Sequence, residues 1–240
     1  MLVTERPRIG AIDDSHSFLH DNPFVIRGYR LHFRSPRQVW KSLLLLHNET
    51  FNIWSHLLGL LLFGCLFGYC LFAPDMPAQP LLEELHRTFT SSEEASVNPE
   101  DPVASNPYKG FAFKLRLEPP ARWPVLIFIV SAILCFACST TYHLFNCHSP
   151  ATKSVLVRLD YGGISFLVAG SFYPYVYYLF YCEEQVTWVY LTGISTACGA
   201  AFVVAMFPFF QKPRYLTFRG ILFLVIGLLG VIPFVHTFFL

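Results

Sequence analysis

Five long apolar runs dominate this chain, and they constrain its fold more than any other feature. A helix that crosses a bilayer needs roughly 20 predominantly apolar residues, and each run has about that length. The runs cover residues 54–73, 123–146, 155–181, 186–209 and 219–240. Charged residues make up 14% of the 240 residues, against about 25% in soluble domains. We therefore predict an all-α integral membrane protein.

The polar segments define the organisation around these spans. Residues 1–53 form a polar N-terminal arm, and residues 39–56 within and just beyond it predict an interfacial helix that leads into the first span. Residues 54–240 form the transmembrane bundle. Residues 74–122 are rich in Ser, Pro, Asn and acidic residues, a composition that predicts a disordered insertion without a core of its own.

The distribution of basic residues predicts the orientation in the membrane. Lys and Arg accumulate in cytosolic loops near span ends. If the N-terminus is cytosolic, three basic groups fall on the cytosolic side: Arg34, Arg37 and Lys41; Lys153 and Arg158; Lys212, Arg214 and Arg219. The basic residues of the insertion, Lys109, Lys114, Arg116 and Arg122, oppose this assignment but are outnumbered. We therefore expect a cytosolic N-terminus, and a net charge of +1 gives no reason to expect nucleic-acid binding.

A histidine and an aspartate on successive spans suggest a metal site. His143 lies near the cytosolic end of the second span and Asp160 lies about one and a half turns into the third. At about 1.5 Å per residue the two side chains reach similar depth. An imidazole beside a carboxylate could form part of a zinc site. The alternative is an interfacial histidine that hydrogen-bonds to water, and position alone favours that alternative.

A second polar cluster precedes the first span. Glu49, Asn52 and His56 are spaced i, i+3 and i+7, so they share one helix face. Two interpretations remain open from the spacing. The cluster is either a solvated helix entry, with Trp54 as an interface anchor, or a polar network that packs beneath His143.

These residues carry a resemblance to a known family. The sequence ETFNIWSH at 49–56 fits the motif Glu-x-x-Asn-x-x-x-His, and STTYH at 139–143 fits Ser-x-x-x-His. Residues 159–182 and 219–236 are similar to the third and fifth helices of adiponectin receptors. The chain thus resembles the progestin and adipoQ receptor family of heptahelical proteins.

The resemblance implies a fold, a cofactor and an activity. It implies five of the seven helices of the family bundle, with zinc held by His143 and by two histidines of a seventh-helix His-x-x-x-His motif. Asp160 would act through the metal-bound water, and Tyr161 and Arg219 would contact the acyl carboxylate or amide. The family's proposed reaction is hydrolysis of the ceramide amide. The motif residues around this centre would be Ser139, Glu49, Asn52 and His56.

The resemblance also leaves the function divided between two hypotheses. We expect the chain to lack a His-x-x-x-His motif altogether, and so to be C-terminally truncated, with an incomplete zinc site and no activity by itself. The first hypothesis is an adiponectin-receptor-like receptor with zinc-dependent lipid amidase chemistry in its full-length form. Its partners would be membrane lipids, ceramide or fatty acid, and an extracellular protein or steroid ligand. The alternative is a non-catalytic scaffold whose arm tethers a cytosolic signalling partner. We expect the plasma membrane or the Golgi and endoplasmic reticulum as its location.

Overall fold

Within the residues that the structure describes, the chain forms five long apolar helices preceded by a small β-hairpin. The computed structural model describes residues 6–20, 22, 24–72 and 121–239. One compact unit comprises Met1–Cys70 and Trp123–Leu240, and a second comprises Leu71–Arg122. The predicted disordered insertion over 74–122 lies outside the described residues, apart from its last two positions.

The elements of the described chain follow a simple order. Strand β1 (Arg8–Ala11) pairs antiparallel with β2 (Arg27–Leu31), and helix α1 (Pro36–Ser42) follows. The spans are α2 (Thr50–Phe72), α3 (Trp123–Phe145), α4 (Pro150–Leu179), α5 (Glu184–Ala205) and a fifth over Pro213–His236, which consists of α6 (Leu216–Leu228) and α7 (Val231–His236). These five apolar helices confirm the predicted all-α membrane fold, whereas the orientation of the N-terminus stays a prediction.

Local capping explains why one span begins earlier than its apolar run. Helix α4 starts at Pro150 rather than at residue 155, because Ser149 accepts a hydrogen bond from the Thr152 backbone N–H at 3.1 Å. Proline is well suited to the first helical position, since its fixed φ is helical and it has no N–H to satisfy. The polar residues before the apolar run therefore form the first turn of the helix.

The predicted interfacial helix over 39–56 requires a correction. Helix α1 ends at Ser42 and α2 begins at Thr50, with a turn over 43–49 between them. The Thr50 hydroxyl donates to the Leu45 carbonyl at 3.1 Å and accepts from the His47 N–H at 2.8 Å. A side chain that takes both roles stabilises the turn against continuation of the helix.

The fifth span is interrupted where the sequence predicted a continuous segment over 219–240. Helix α6 ends at Leu228 and α7 begins at Val231, after Gly230. Glycine weakens a helix interior, and Pro233 cannot donate the hydrogen bond that a continuous helix would need. The Gly230 carbonyl instead accepts from the Tyr175 hydroxyl of α4 at 3.0 Å.

Small residues allow the central helices to approach closely. Helix α4 packs between α3 and α5, and a Cβ placed at Gly163 would stand 3.1 Å from the Cys135 Cα. Such small-residue contacts are how spanning helices gain packing energy in lipid. The buried cluster beyond this contact is formed by α4, α5 and α6: Phe172, Val176, Phe180, Leu191, Ile194, Cys198, Ala201 and Ile226.

A second buried cluster fixes the N-terminal arm on the bundle. It joins Phe33 and Val39 of the arm to Ile53 of α2 and to Leu144 and Cys147 at the end of α3. We call this side of the bundle the hairpin end. All seven cysteines are free, so packing and hydrogen bonds rather than disulfides attach the arm.

Candidate functional site

The carboxylate of Glu49 is the centre of a polar network at the hairpin end. Its Oε2 lies 2.8 Å from His143 Nδ1 and accepts from Asn52 Nδ2 at 2.9 Å. Its Oε1 accepts from Asn146 Nδ2 at 3.1 Å. Glu49 stands just before α2, whereas His143 and Asn146 belong to the end of α3. One side chain thus links the start of α2 to the end of α3, through residues that are 94 positions apart in sequence.

The network favours the ionised form of Glu49. Burial alone would raise the pKa of this carboxyl, but the hydrogen bond and charge of His143, together with Asn52 and Arg30, lower it to about 2. An ionised carboxylate can only accept hydrogen bonds, so His143 Nδ1 carries the proton. In the neutral tautomer of this ring that donates from Nδ1, Nε2 carries the lone pair, and the hydrogen bond to Glu49 fixes the orientation of the ring.

The other motif residues lie around the same imidazole. The ring of His56 lies 5.7 Å from that of His143, centroid to centroid, at an interplanar angle of 84°. Asp160 lies close enough to the Ser139 side chain and to both histidines to interact with all three. The structure therefore brings together His143, Asp160, Ser139, Glu49, Asn52 and His56. Of the two interpretations of the 49–56 cluster, the polar network beneath His143 is the arrangement found.

A buried arginine of the arm completes the network. Arg30, on β2, is 2% exposed. Its NH1 donates to the Leu144 carbonyl at 2.7 Å and to Ser42 Oγ at 3.1 Å, and its NH2 donates to the His143 carbonyl at 2.6 Å and to Asn146 Oδ1 at 2.8 Å. A cation at a helix C-terminus satisfies carbonyls that lack intrahelical partners and interacts favourably with the helix dipole. Arg30 thus caps α3 and orients the Asn146 amide that holds Glu49.

Tyr161 and Arg219 meet at a separate cavity. The Arg219 guanidinium lies 5.0 Å from the centre of the Tyr161 ring. Both residues line a cavity of about 410 Å³ together with Lys153 and Gln211. Arg219 is 7% exposed, and its Nε is buried without a hydrogen-bond partner among the described residues. A guanidinium that lines a basic cavity is suited to an oxyanion or a carbonyl oxygen.

Comparison with known proteins identifies the family. Residues 44–240 match the haemolysin-III-related family. The chain is 30% identical to heptahelical transmembrane protein 4 of Arabidopsis thaliana, over 92% of this chain and 67% of that protein. It is 30% identical to heptahelical transmembrane protein ADIPOR3 of rice, Oryza sativa subsp. japonica, over 91% of this chain and 70% of that protein. This chain belongs to the haemolysin-III-related family. It is 31% identical to the adiponectin receptor protein of Drosophila melanogaster over 91% of this chain, but this match covers 40% of that protein. The resemblance to the progestin and adipoQ receptor family is confirmed.

The side chains around His143 in this haemolysin-III-related chain include possible zinc ligands. His143 Nε2 is a lone-pair donor whose ring is oriented by a carboxylate, an arrangement common among zinc-ligating histidines. Beside it, His56 Nδ1 is buried without a hydrogen-bond partner among the described residues. The chemistry fits one zinc ligand and an adjacent carboxylate, Asp160. No group of three or more His, Cys, Asp or Glu residues that could hold a metal occurs within residues 6–20, 22, 24–72 and 121–239.

A His-x-x-x-His spacing does occur in the arm, outside the spans, at His16 and His20. These residues flank a single 3-10 turn over Ser17–Leu19 rather than lying on a long helix. His20 Nε2 lies 2.7 Å from Ser15 Oγ, and the His16 ring stacks on Phe18. The pair therefore has local partners and does not reproduce a helical metal motif.

Sequence reasoning missed Arg30 and Asn146. Arg30 lies in a short polar segment, IRGYR, where an arginine is ordinarily solvated, and Asn146 lies among residues that end a helix. The available signal was weak: Asn146 follows His143 by three positions and so shares its helix face. Arg30 could not be found this way, because its acceptors at the end of α3 are 113–116 residues away.

Proposed function

We propose that this adiponectin-receptor-like membrane protein carries the His143–Asp160 half of a zinc-dependent lipid amidase of the ceramidase type. The observation that supports the proposal is the Glu49–His143 hydrogen bond of 2.8 Å, which leaves Nε2 available beside a carboxylate. Bound zinc would lower the pKa of a water molecule and polarise an amide carbonyl.

Each residue of the network has a distinct part in this proposal. His143 would hold the metal through Nε2, and Glu49 would keep the ring in the required tautomer. Asp160 would accept the proton of the attacking water, while the Ser139 hydroxyl keeps its carboxylate in place. Tyr161 and Arg219 would bind the acyl carboxylate or amide oxygen in their cavity. The substrate would therefore be a lipid amide that occupies this cavity and reaches towards Asp160.

Metal content is the first measurement. Zinc sites in enzymes use three protein ligands, and the described residues supply His143 with Asp160 beside it. We expect the purified 240-residue chain to bind zinc weakly or not at all and to be inactive by itself. Elemental analysis after dialysis against zinc-free buffer measures this directly. One tightly held zinc per chain would contradict the expectation.

Activity is measured with the longest chain that the gene encodes, reconstituted in lipid with a fluorescent short-chain ceramide. Asp160→Asn retains shape and hydrogen bonding but is no base, so we expect kcat to fall about 100-fold or more. Asp13→Asn, an exposed carboxyl of the arm, is the matched control and should leave kcat unchanged. If Asp160→Asn hydrolyses ceramide at the parental rate, the assignment of Asp160 is wrong.

A scaffold function is the second candidate, favoured by the rigid attachment of the arm. Arg30 and the cluster around Phe33 hold the hairpin against the bundle, which gives the arm a fixed surface for a signalling protein. Capture of the same partner by the parent and by His143→Ala would favour binding over chemistry. Loss of capture in His143→Ala would show that binding of the partner depends on the His143 site.

A further inference from the structure

Large apolar side chains at the hairpin end are exposed on two neighbouring segments. Phe24 and Ile26, in the loop before β2, are 89% and 60% exposed. Leu44 and Leu46, in the turn between α1 and α2, are 86% and 88% exposed. We call these four residues the arm patch. Exposed apolar residues that cluster in this way mark an interaction surface.

Hydrogen bonds hold the backbone segments of the arm patch in place. The Asn48 N–H donates to the Gly28 carbonyl at 3.0 Å, which joins the turn to the start of β2. Gly28 has φ +89°, and a Cβ there would lie 2.9 Å from the Asn48 nitrogen, so this contact depends on glycine. On the other side of the turn, Trp54 Nε1 donates to the Leu43 carbonyl at 3.1 Å. These bonds therefore fix the turn in which the Leu44 and Leu46 side chains are exposed.

The exposed apolar surface continues into the first span. Phe51, one residue into α2, is 82% exposed, and Leu58 and Leu62 further along are each 59% exposed. Since α2 is long and apolar enough to cross a membrane, these exposed side chains are available to lipid. Leu44 and Leu46 of the arm patch precede Phe51 by seven and five residues, so the patch lies next to the end of α2 that would enter the membrane.

The charge around the patch indicates which lipid it would meet. Residues 24–49 contain five cations and a single carboxylate. That carboxylate, Glu49, is bound to His143 within the fold. Four of the cations are exposed: Arg27, Arg34, Arg37 and Lys41. Basic residues next to an apolar surface bind anionic headgroups while the apolar side chains enter the interface.

From this placement we infer that the arm patch docks into the headgroup region of an anionic lipid leaflet, with Arg27, Arg37 and Lys41 on its phosphates and carboxylates. The bilayer would then hold the hairpin from the outside, as Arg30 holds it from the inside. This interaction surface is independent of the zinc chemistry proposed above. Docking gives the leucine-rich turn between α1 and α2 a function, which is to bind the membrane.

Photo-crosslinking tests the contact in a bilayer. The chain is made with p-benzoylphenylalanine at position 24 or 46, and at position 8 as control, because Arg8 lies at the opposite end of the hairpin from the patch. Each chain is placed in nanodiscs of phosphatidylcholine, with or without phosphatidylserine, and irradiated. Mass spectrometry then measures phospholipid adducts. We expect adducts at positions 24 and 46 well above the control, with a higher yield when phosphatidylserine is present.

A charge variant tests the choice of anionic lipid. Each basic residue near an anionic surface strengthens binding roughly fivefold, so R27Q/R37Q/K41Q should lose the gain that phosphatidylserine produces. Equal yields in the two bilayers would refute the anionic partner. Adducts no more frequent than at position 8, or protein adducts in place of lipid adducts when the chain is irradiated in cell membranes, would overturn the docking proposal.

Discussion

Removal of the Arg30 side chain is the perturbation whose cost the structure defines best. Arg30→Ala deletes four hydrogen bonds of 2.6–3.1 Å from a side chain that is 2% exposed. It leaves the carbonyls of His143 and Leu144 and the Oδ1 of Asn146 without their donor. Leaving a buried donor or acceptor unsatisfied costs about 1–3 kcal/mol for each group. We therefore expect the free energy of unfolding to fall by about 4 kcal/mol.

Thermal unfolding in detergent micelles measures this loss. A thiol-reactive fluorescent dye reports exposure of the buried Cys135, Cys147 and Cys198. With roughly 2–4 °C per kcal/mol for a chain of this size, the expected decrease in Tm is roughly 8–16 °C. Arg30→Lys keeps the charge but cannot span several acceptors with one ammonium, so its Tm should be intermediate.

The matched control is Arg34→Ala, since Arg34 is exposed and close in sequence. Its free energy of unfolding should change by at most about 0.5 kcal/mol. If Arg30→Ala melted within about 2 °C of the parent, the four contacts would contribute little, and the proposed attachment of the arm through Arg30 would be refuted.

Two further predictions follow from the same end of the molecule. Burial first, and then the charge of Arg30, lower the pKa of His47 from 6.5 to about 4. The folded state therefore binds this proton less readily than the unfolded state, so stability should decline as pH falls from about 6.5 to about 4. His47→Asn keeps an acceptor for the Glu49 N–H and should show a smaller decline in Tm over that range; an unchanged pH profile would exclude His47 as the cause. Gly28→Ala should lower the free energy of unfolding by about 1–3 kcal/mol because of its positive φ and the nearby Asn48 nitrogen. Gly64→Ala, with open space around its Cβ position, should be neutral or stabilising, and equal effects of the two would contradict the steric argument.

The spans were predictable because a bilayer imposes length and composition on every helix that crosses it. The apolar runs near 123 and 186 correspond closely to α3 and α5. Their boundaries depend on local chemistry, as at Ser149 and Pro150, which extend α4 beyond its apolar residues. The turn after Ser42 was missed because LLLL has high helix propensity, whereas the Thr50 side chain bonds the backbone of the turn.

The candidate site was predictable only as separate parts. Spacing placed Glu49, Asn52 and His56 on one face and gave His143 and Asp160 similar depth. It could not show that Glu49 bonds His143, because pairing between distant helices depends on packing. The hairpin was missed for a related reason: strands of four and five residues carry too little periodicity to be recognised.

The acceptors of Arg30 impose an order on the biogenesis of this protein. Three of the four lie 113, 114 and 116 residues downstream, at the end of a span that is synthesised later. At about 5–20 residues per second, a ribosome needs roughly ten seconds to deliver them. During that delay the guanidinium stays hydrated and the hairpin lacks its anchor. Attachment of the arm thus requires that the second span has been made and inserted. A chaperone or protease that recognises the unattached arm could therefore distinguish finished from unfinished molecules.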